Sequence, residues 1–202
     1  PLHLVETITR ADLEKMVDTT SEWIETRTGI MNRHRAVGEL TSDMAYKAAR
    51  NAIEKAGYDQ DKIDLIITAT ITGDQQTPST ANFIQAKLGL TKHPVAAFDV
   101  NAACTGFIYA LETASSLLQT GRYRAALVIG AEMLTRCVDY TDRNTCVLFG
   151  DGAGAMIIVP ATNCRIVRPR EMRARNRPTK DAQAIHQAQK NSVHSDIHSV
   201  AP

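Results

Sequence analysis

An α/β fold built on a mixed, largely parallel sheet is predicted for this chain of 202 residues, and three features predict it. Strand and helix signals alternate, with short connections, up to about Asn163. The strand candidates carry nearly continuous apolar runs, the pattern of strands covered on both faces. The helix candidates between them carry the apolar stripes that such a cover needs.

Taken in order, Ala45, Ala48, Ala49, Ala52, Ile53 and Ala56 fall on one helical face, with Thr41 or Ser42 able to cap the start and Gly57 to end it. Ile63 to Ile71 follows as a strand around Leu65, Ile66 and Ile67. Ser79 to Leu88 reads as a helix stopped by Gly89. Val95 to Val100 is a strand that runs into small residues, and a helix predicted from Cys104 to about Gln119 ends at Gly121. Ala125 to Gly130 and Ala153 to Val159 complete the strands, and right-handed crossovers are the expected topology. The Cys104 helix has Glu112 and Gln119 as its main polar residues, so it is expected to be buried nearly all round.

Composition narrows the function classes. Hydrophobic residues make up 44% and charged residues 22%, ordinary for a globular protein, and a formal charge of +1 supplies no global field for nucleic acid or membrane. Cys104, Cys137, Cys146 and Cys164 form no C-x-x-C pair and no zinc-like spacing with histidine, so neither disulfide nor metal is expected and a reducing cytoplasm fits. No apolar run approaches the roughly 20 residues of a membrane span. No signal peptide opens the chain, and Pro1 gives it a trimmed look. Two segments are expected: residues 1–163 as the α/β part and 164–202 as a basic tail. Arg165, Arg168, Arg170, Arg173, Arg175, Arg177 and Lys180 crowd that tail, where Glu171 is the sole acid before Asp181. It reads as a solvated, disordered arm rather than a nucleic-acid arm, and its His186, His194 and His198 as exposed rather than as a ligand set.

The chemistry-bearing candidates start with Cys104. A helix beginning there would aim unpaired amides and its positive end at the sulfur, favouring thiolate and offering donors to an oxyanion. The competing reading, a small apolar residue in a tight turn, is level with it on position alone. Trp23 and Arg27 stand four residues apart on a short helix candidate, so a flat ring and a cation can flank one ligand, or simply pack on each other. Gly150-Asp151-Gly152-Ala153-Gly154 has neither the lysine nor the spacing of a phosphate loop, and reads as a tight turn feeding the last strand, with Asp151 accepting local amides. Cys137 and Cys146 read as small core or semi-core residues.

Asn101-Ala102-Ala103-Cys104-Thr105-Gly106-Phe107, followed by Asp142-Arg143-Asn144-Thr145 and Phe149-Gly150-Asp151-Gly152-Ala153-Gly154-Ala155, resembles the β-ketoacyl-acyl-carrier-protein synthase III family, the initiating condensing enzymes of dissociated bacterial and plastid fatty-acid synthesis. Asp18 with Ser21-Glu22-Trp23-Ile24, then Thr26-Arg27-Thr28-Gly29-Ile30, matches the same family. The resemblance runs from about Ala11 to Val159, the N-terminal half of such an enzyme. It implies a thiolase-like fold in which the Cys104 helix lies between two sheets, one of which this chain can supply.

By the same resemblance, Cys104 accepts an acyl group from acyl-coenzyme A. A histidine and an asparagine of the C-terminal half then assist decarboxylation of malonyl-carrier protein; His34 and His93, in loop-like contexts, do not match that histidine. Trp23 would stack on adenine, Arg27 would meet the phosphates, Arg143 would close the adenine site, and Thr28 stands at the same rim. The loop Asp74-Gln75-Gln76-Thr77-Pro78, which in the family approaches the partner subunit's acyl pocket, lacks the bulky aromatic of some members and leaves chain-length preference open. The implied protein is a cytoplasmic or plastid homodimer that condenses an acyl-coenzyme A primer, acetyl in the first instance, with malonyl-acyl-carrier protein. It has no tightly bound cofactor and takes the coenzyme A thioester as substrate. A non-catalytic acyl-coenzyme A-binding half, a hydroxymethylglutaryl-coenzyme A synthase, a polyketide synthase relative and a cysteine hydrolase are the alternatives; the Trp23 to Arg27 word speaks against the two relatives, and the lack of a placed base against the hydrolase.

Overall fold

A computed structural model describes residues 4–161. The readings of Cys164, of the arginine-rich tail with its histidines, and of the boundary after residue 163 lie outside the described residues. The described chain opens with β1 (Leu4–Thr9) and a single turn, α1 (Arg10–Leu13), where Thr9 and Asp12 each accept the other's backbone N–H. Helix α2 (Ser21–Thr28) starts where the Thr20 hydroxyl accepts the Trp23 N–H at 3.1 Å and stops at Gly29, which is left-handed at φ +68°. Strand β2 (Asn32–Val37) then returns antiparallel to β1. The sequence reading gave no strand to either segment and placed His34 in a loop; the polar run Arg33-His34-Arg35 hides the alternation that marks a half-buried strand.

The remaining elements are α3 (Thr41–Ala56), β3 (Leu65–Ala69), α4 (Thr80–Leu88), β4 (Ala96–Val100), α5 (Gly106–Gln119), β5 (Ala126–Met133), the short α6 (Arg143–Cys146) and β6 (Asp151–Ile158). Four strands form one sheet in the order β4-β3-β5-β6. Strand β3 is parallel to both β4 and β5, with Ile67 opposite Phe98 and Val128, and β6 closes the sheet antiparallel to β5. The mixed, largely parallel sheet is therefore present.

The twofold period of β3 and β5 divides the core between the two faces. Leu65, Ile67, Ala69, Ala126 and Val128 pack with Ala110, Ala114 and Leu118 of α5, whereas Ile66, Leu127, Ile129 and Ala131 pack with Ala45, Ala49 and Ile53 of α3 and Ala81, Ile84 and Leu88 of α4. Burying each of these leucines and isoleucines stabilises the fold by roughly 1.5–3 kcal/mol. A smaller core of Ile8, Leu13, Ile24, Cys146 and Val147 joins the β1–β2 ribbon to α2 and α6, with Trp23 packed on it.

Three expectations are corrected. Neither Thr41 nor Ser42 caps α3: Leu40 is the cap residue and its N–H is taken by Asp43 at 2.9 Å, while the Thr41 hydroxyl donates to the Thr72 carbonyl and the Ser42 hydroxyl accepts from the Lys87 ammonium. Ala56 is exposed, one step past the buried stripe of that helix. Helix α5 is not buried nearly all round, because Ile108 is 59% and Tyr109 50% exposed opposite its packed face.

Candidate active site

Cys104 stands where two parallel strands end, the place where sheets of this kind hold their ligands. Beyond Val100 the chain makes a short 3-10 turn, Ala103–Thr105, before α5 begins at Gly106. The cysteine is therefore one turn ahead of the α-helix rather than its first residue, which corrects the predicted start. Two local features make the turn. Ala103 adopts φ +47°, a left-handed conformation that costs an L-residue roughly 1–2 kcal/mol. Gly106 permits the close approach that follows, since a Cβ there would lie 3.3 Å from the Ala69 Cβ. The outcome is an exposed Cys104.

A cavity of about 300 Å³ opens on Cys104, lined by Ala69, Phe107, Gly130, Glu132 and the Gly152-Ala153-Gly154 stretch of β6. The glycines keep it open: Phe107 lies against Gly130, where a Cβ would stand 3.2 Å from the ring. Glu132 is a carboxylate that the sequence reading missed. Its Oε1 accepts the Ile71 N–H at 2.9 Å and its Oε2 the Thr72 N–H at 3.2 Å and the Thr72 hydroxyl, so it fastens the loop leaving β3 beside the cavity. Arg136 holds the same loop from the other side, donating to the Thr72 carbonyl and the Thr41 hydroxyl, both at 2.8 Å. An acid at the C-terminal end of an apolar strand, Ala126 to Ala131, is the signal that could have found Glu132.

The second constellation forms around Trp23. The guanidinium of Arg27, one turn along α2, lies 5.4 Å from the ring centroid, and that of Arg143, on α6, lies 4.9 Å from it. Arg143 also donates to the Asp18 carbonyl at 3.2 Å, which ties α6 to the segment before α2. The turn under Arg143 is capped by Asp142; the Asn144 amide and the Thr145 hydroxyl hold that carboxyl below its ordinary pKa. The structure thus brings Trp23, Arg27 and Arg143 together. Thr28 is less available, since its hydroxyl donates to the Ile24 carbonyl at 2.7 Å and accepts the Ile30 N–H at 3.0 Å.

The glycine run and the other cysteines differ from expectation. Asp151 is the first residue of β6 rather than a turn residue, and its carboxylate works at long range: it accepts the Ala36 N–H, the Thr135 N–H and the Thr135 hydroxyl at 2.8–2.9 Å, binding β2 and the 3-10 turn after β5 to β6. Gly152 to Gly154 do flank Cys104, but within the strand. Cys137 is exposed rather than semi-core, because it ends a 3-10 turn after β5. Cys146 is buried as expected, and burial, with Asp142 nearby, pushes its thiol pKa up. His34 is exposed on β2, and His93 bonds the Ile63 carbonyl at 2.9 Å. Among the described residues no cluster of three or more His, Cys, Asp or Glu could hold a metal, and no helix is long and apolar enough to cross a membrane.

Comparison with known proteins meets this geometry. Residues 98–171 match the family model of 3-oxoacyl-[acyl-carrier-protein (ACP)] synthase III. A β-ketoacyl-[acyl-carrier-protein] synthase III of Acholeplasma laidlawii is 55% identical over 156 residues, covering 77% of this chain and 50% of that protein. Its counterpart in Campylobacter curvus is 54% identical over 161 residues, 79% of this chain and 48% of that protein. The crystal structure of 3-oxoacyl-[acyl-carrier-protein] synthase III from Aquifex aeolicus superposes with a TM-score of 0.75 at 49% identity, over 78% of this chain and 51% of that one. The priming β-ketosynthase of the R1128 polyketide pathway superposes with a TM-score of 0.74 at 38% identity, over 77% and 46%. The chain spans about half the length of the curated relatives it matches. With a thiolase-like sheet, a cysteine at its strand ends and these identities, the chain matches the N-terminal half of β-ketoacyl-[acyl-carrier-protein] synthase III proteins in sequence and in fold.

Proposed function

We propose that this chain carries the acyl-accepting half of a fatty-acid-initiating condensing enzyme. The exposed Cys104, facing a cavity beyond the ends of β3 and β4, is the observation that carries the reading. In the acylation step the Cys104 sulfur attacks the thioester carbonyl carbon of an acyl-coenzyme A. The bond from that carbon to the coenzyme sulfur breaks, and the coenzyme leaves as its thiol with the proton that Cys104 gave up. Trp23 offers a flat face to the adenine, Arg143 over that ring closes the adenine site, Arg27 offers charge to the phosphates, and Thr28 borders the same rim. No tightly bound cofactor takes part; coenzyme A enters as the thioester substrate. The full reaction condenses the acyl group with malonyl-acyl-carrier protein in a homodimer of the cytoplasm. We assign residues 1–163 to this half and 164–202 to a separate tail.

Incubation with isotopically labelled acetyl-coenzyme A should place one acetyl mass on the peptide bearing Cys104, and Cys104→Ser should abolish it. Equal label on the exposed Cys137 would reduce the reading to generic thiol reactivity. Arg27→Ala should weaken coenzyme A binding by about 1.5–3 kcal/mol, the range for a lost charge-assisted bond. That loss should shrink as salt rises. An unchanged dissociation constant at low salt would leave Arg27 as a packing residue over Trp23.

A second reading has its own observation: among the described residues, those lining the Cys104 cavity include neither a histidine nor an asparagine to polarise a malonyl thioester. On that reading the chain binds and accepts acyl groups without condensing them. Acetyl-Cys104 that accumulates in the presence of malonyl-acyl-carrier protein would favour it.

A further inference from the structure

One buried cation joins the two elements that carry the Trp23 cluster. Arg33, in the middle of β2, is 3% exposed. Its Nη1 donates to the Ile30 carbonyl at 3.0 Å, its Nε to the Val147 carbonyl at 2.8 Å, and its Nη2 to that same oxygen. Those two carbonyls are not arbitrary. Ile30 follows Gly29, the end of α2, which bears Trp23 and Arg27; Val147 is the residue that ends α6, which bears Arg143. The guanidinium therefore grips the exits of both helices at once.

We propose that Arg33 is a positioning residue of the coenzyme site: its fork fixes α2 against α6 and so holds the Arg143 guanidinium at its place over Trp23. The proposal rests on the reading of Trp23, Arg27 and Arg143 as the nucleotide-binding cluster. The residue type suits the task. A buried guanidinium is costly to desolvate unless it is hydrogen-bonded, here from each of its three nitrogens, and a planar fork serves two carbonyls from different segments in one fixed geometry. A lysine brings a single point of charge on a flexible stem, so it cannot hold both carbonyls in the fixed geometry that the fork imposes. The effect should therefore fall on the nucleotide end of the substrate. The cavity at Cys104 is lined by other segments and does not include Ile30, Arg33 or Val147.

The test uses the whole chain, and Trp23 as reporter, since it is the single tryptophan. Wild type and Arg33→Lys are titrated with coenzyme A while Trp23 emission is followed. Acetylation of Cys104 is then timed by mass spectrometry with acetyl-coenzyme A and with acetyl-pantetheine, which lacks the nucleotide. Arg33→Lys should raise the coenzyme A dissociation constant about tenfold, in the range expected when a buried carbonyl loses its charged donor. It should slow acetylation by acetyl-coenzyme A at subsaturating concentration and leave acetylation by acetyl-pantetheine at the wild-type rate. Addition of Arg143→Ala to Arg33→Lys should weaken binding little beyond Arg143→Ala alone, because both act through one contact.

Wild-type affinity in Arg33→Lys would overturn the proposal, and so would an equal slowing with both thioesters, which is the mark of a general structural role. A wild-type chain whose Trp23 emission ignores coenzyme A would overturn the nucleotide-site reading itself, and the role of Arg33 with it. If Arg33→Lys is recovered unfolded, Arg33→Gln, which keeps amide donors without the charge, carries the same comparison.

Discussion

Cys137 and Cys146 carry the same thiol and occupy opposite environments. Cys146 is 1% exposed and its pKa is pushed up by burial, so it holds little thiolate, whereas Cys137 and Cys104 face solvent. Alkylation at neutral pH should modify Cys104 and Cys137 and spare Cys146 until denaturant is added, as peptide mapping will read. Asp64 shows the same dependence of chemistry on setting. Burial by itself would raise its pKa, but the Arg124 guanidinium and the Ala125 and Arg124 amides outweigh burial and hold the carboxyl below its ordinary value. A depressed carboxyl stabilises the fold at pH values above its unfolded pKa and ceases to do so as pH falls through its folded one. Asp64→Asn should thus lower stability at pH 7 by about 1–3 kcal/mol, and the gap to wild type should narrow below about pH 4 and close as acid titrates the native carboxyl. Thermal melts across pH 2–7 measure it, and a gap constant with pH would contradict the assignment. Single residues of this kind were only partly legible beforehand. Cys104 and the Trp23–Arg27 spacing stand in the sequence itself, but the grip of Arg33 on Val147 and of Asp151 on Ala36 and Thr135 joins segments that no local pattern relates.

At the level of elements, the legible ones were those whose burial imposes a period. The all-buried run of β3 and the stripes of α3 and α4, closed by Gly57 and Gly89, are written in apolar spacing. Strands β1 and β2 are not, because their ribbon buries little beyond Ile8 and Arg33 and leaves apolar Val5 and Val37 exposed alongside Glu6. The start of α5 is not legible for a different reason: small residues through Ala102-Ala103-Cys104 fit a helix as well as a turn, and nothing in their identity announces the φ of +47° at Ala103. The junction of β2 with β6 offers a test at this scale. A Cβ on Gly150 would lie 3.1 Å from the His34 carbonyl oxygen and 3.3 Å from its nitrogen, and backbone atoms paired in a ribbon cannot step aside as a side-chain tip can. Gly150→Ala should therefore destabilise the chain by about 1–3 kcal/mol, the usual cost of overpacking. Asp151, next in sequence, would be displaced from Ala36 and Thr135, so acetylation of Cys104 should slow as β6 shifts. A melt and an acetylation rate both equal to wild type would show that the junction yields freely.

Across the whole molecule, the site divides into parts that serve different steps, and the division sets what the chain should do in a tube. On the proposed function, binding the coenzyme would call on Trp23, Arg27 and Arg143, which lie together in the fold. Accepting the acyl group would call on Cys104, which is exposed. Condensation would call on more. A malonyl thioester that loses carbon dioxide leaves an enolate, and donors aimed at its oxygen are what lower that barrier. The lining of the Cys104 cavity offers Glu132, a carboxylate already engaged with Ile71 and Thr72, and otherwise alanine, glycine and phenylalanine beside the cysteine. An anion stabilises no enolate. With acetyl-coenzyme A and malonyl-acyl-carrier protein, this 202-residue chain should therefore yield acetyl-Cys104 and no steady acetoacetyl-carrier protein. Mixing it with the C-terminal half of the Acholeplasma laidlawii relative, whose matched length is half its own, should restore product if that half supplies the missing donors. The exposed Ile108 and Tyr109 on α5 give such a half an apolar face to cover, so restoration should be accompanied by a stable heteromeric species in sedimentation. Steady product from this chain alone would mean that a donor reaches the cavity from elsewhere in it, and would overturn the division.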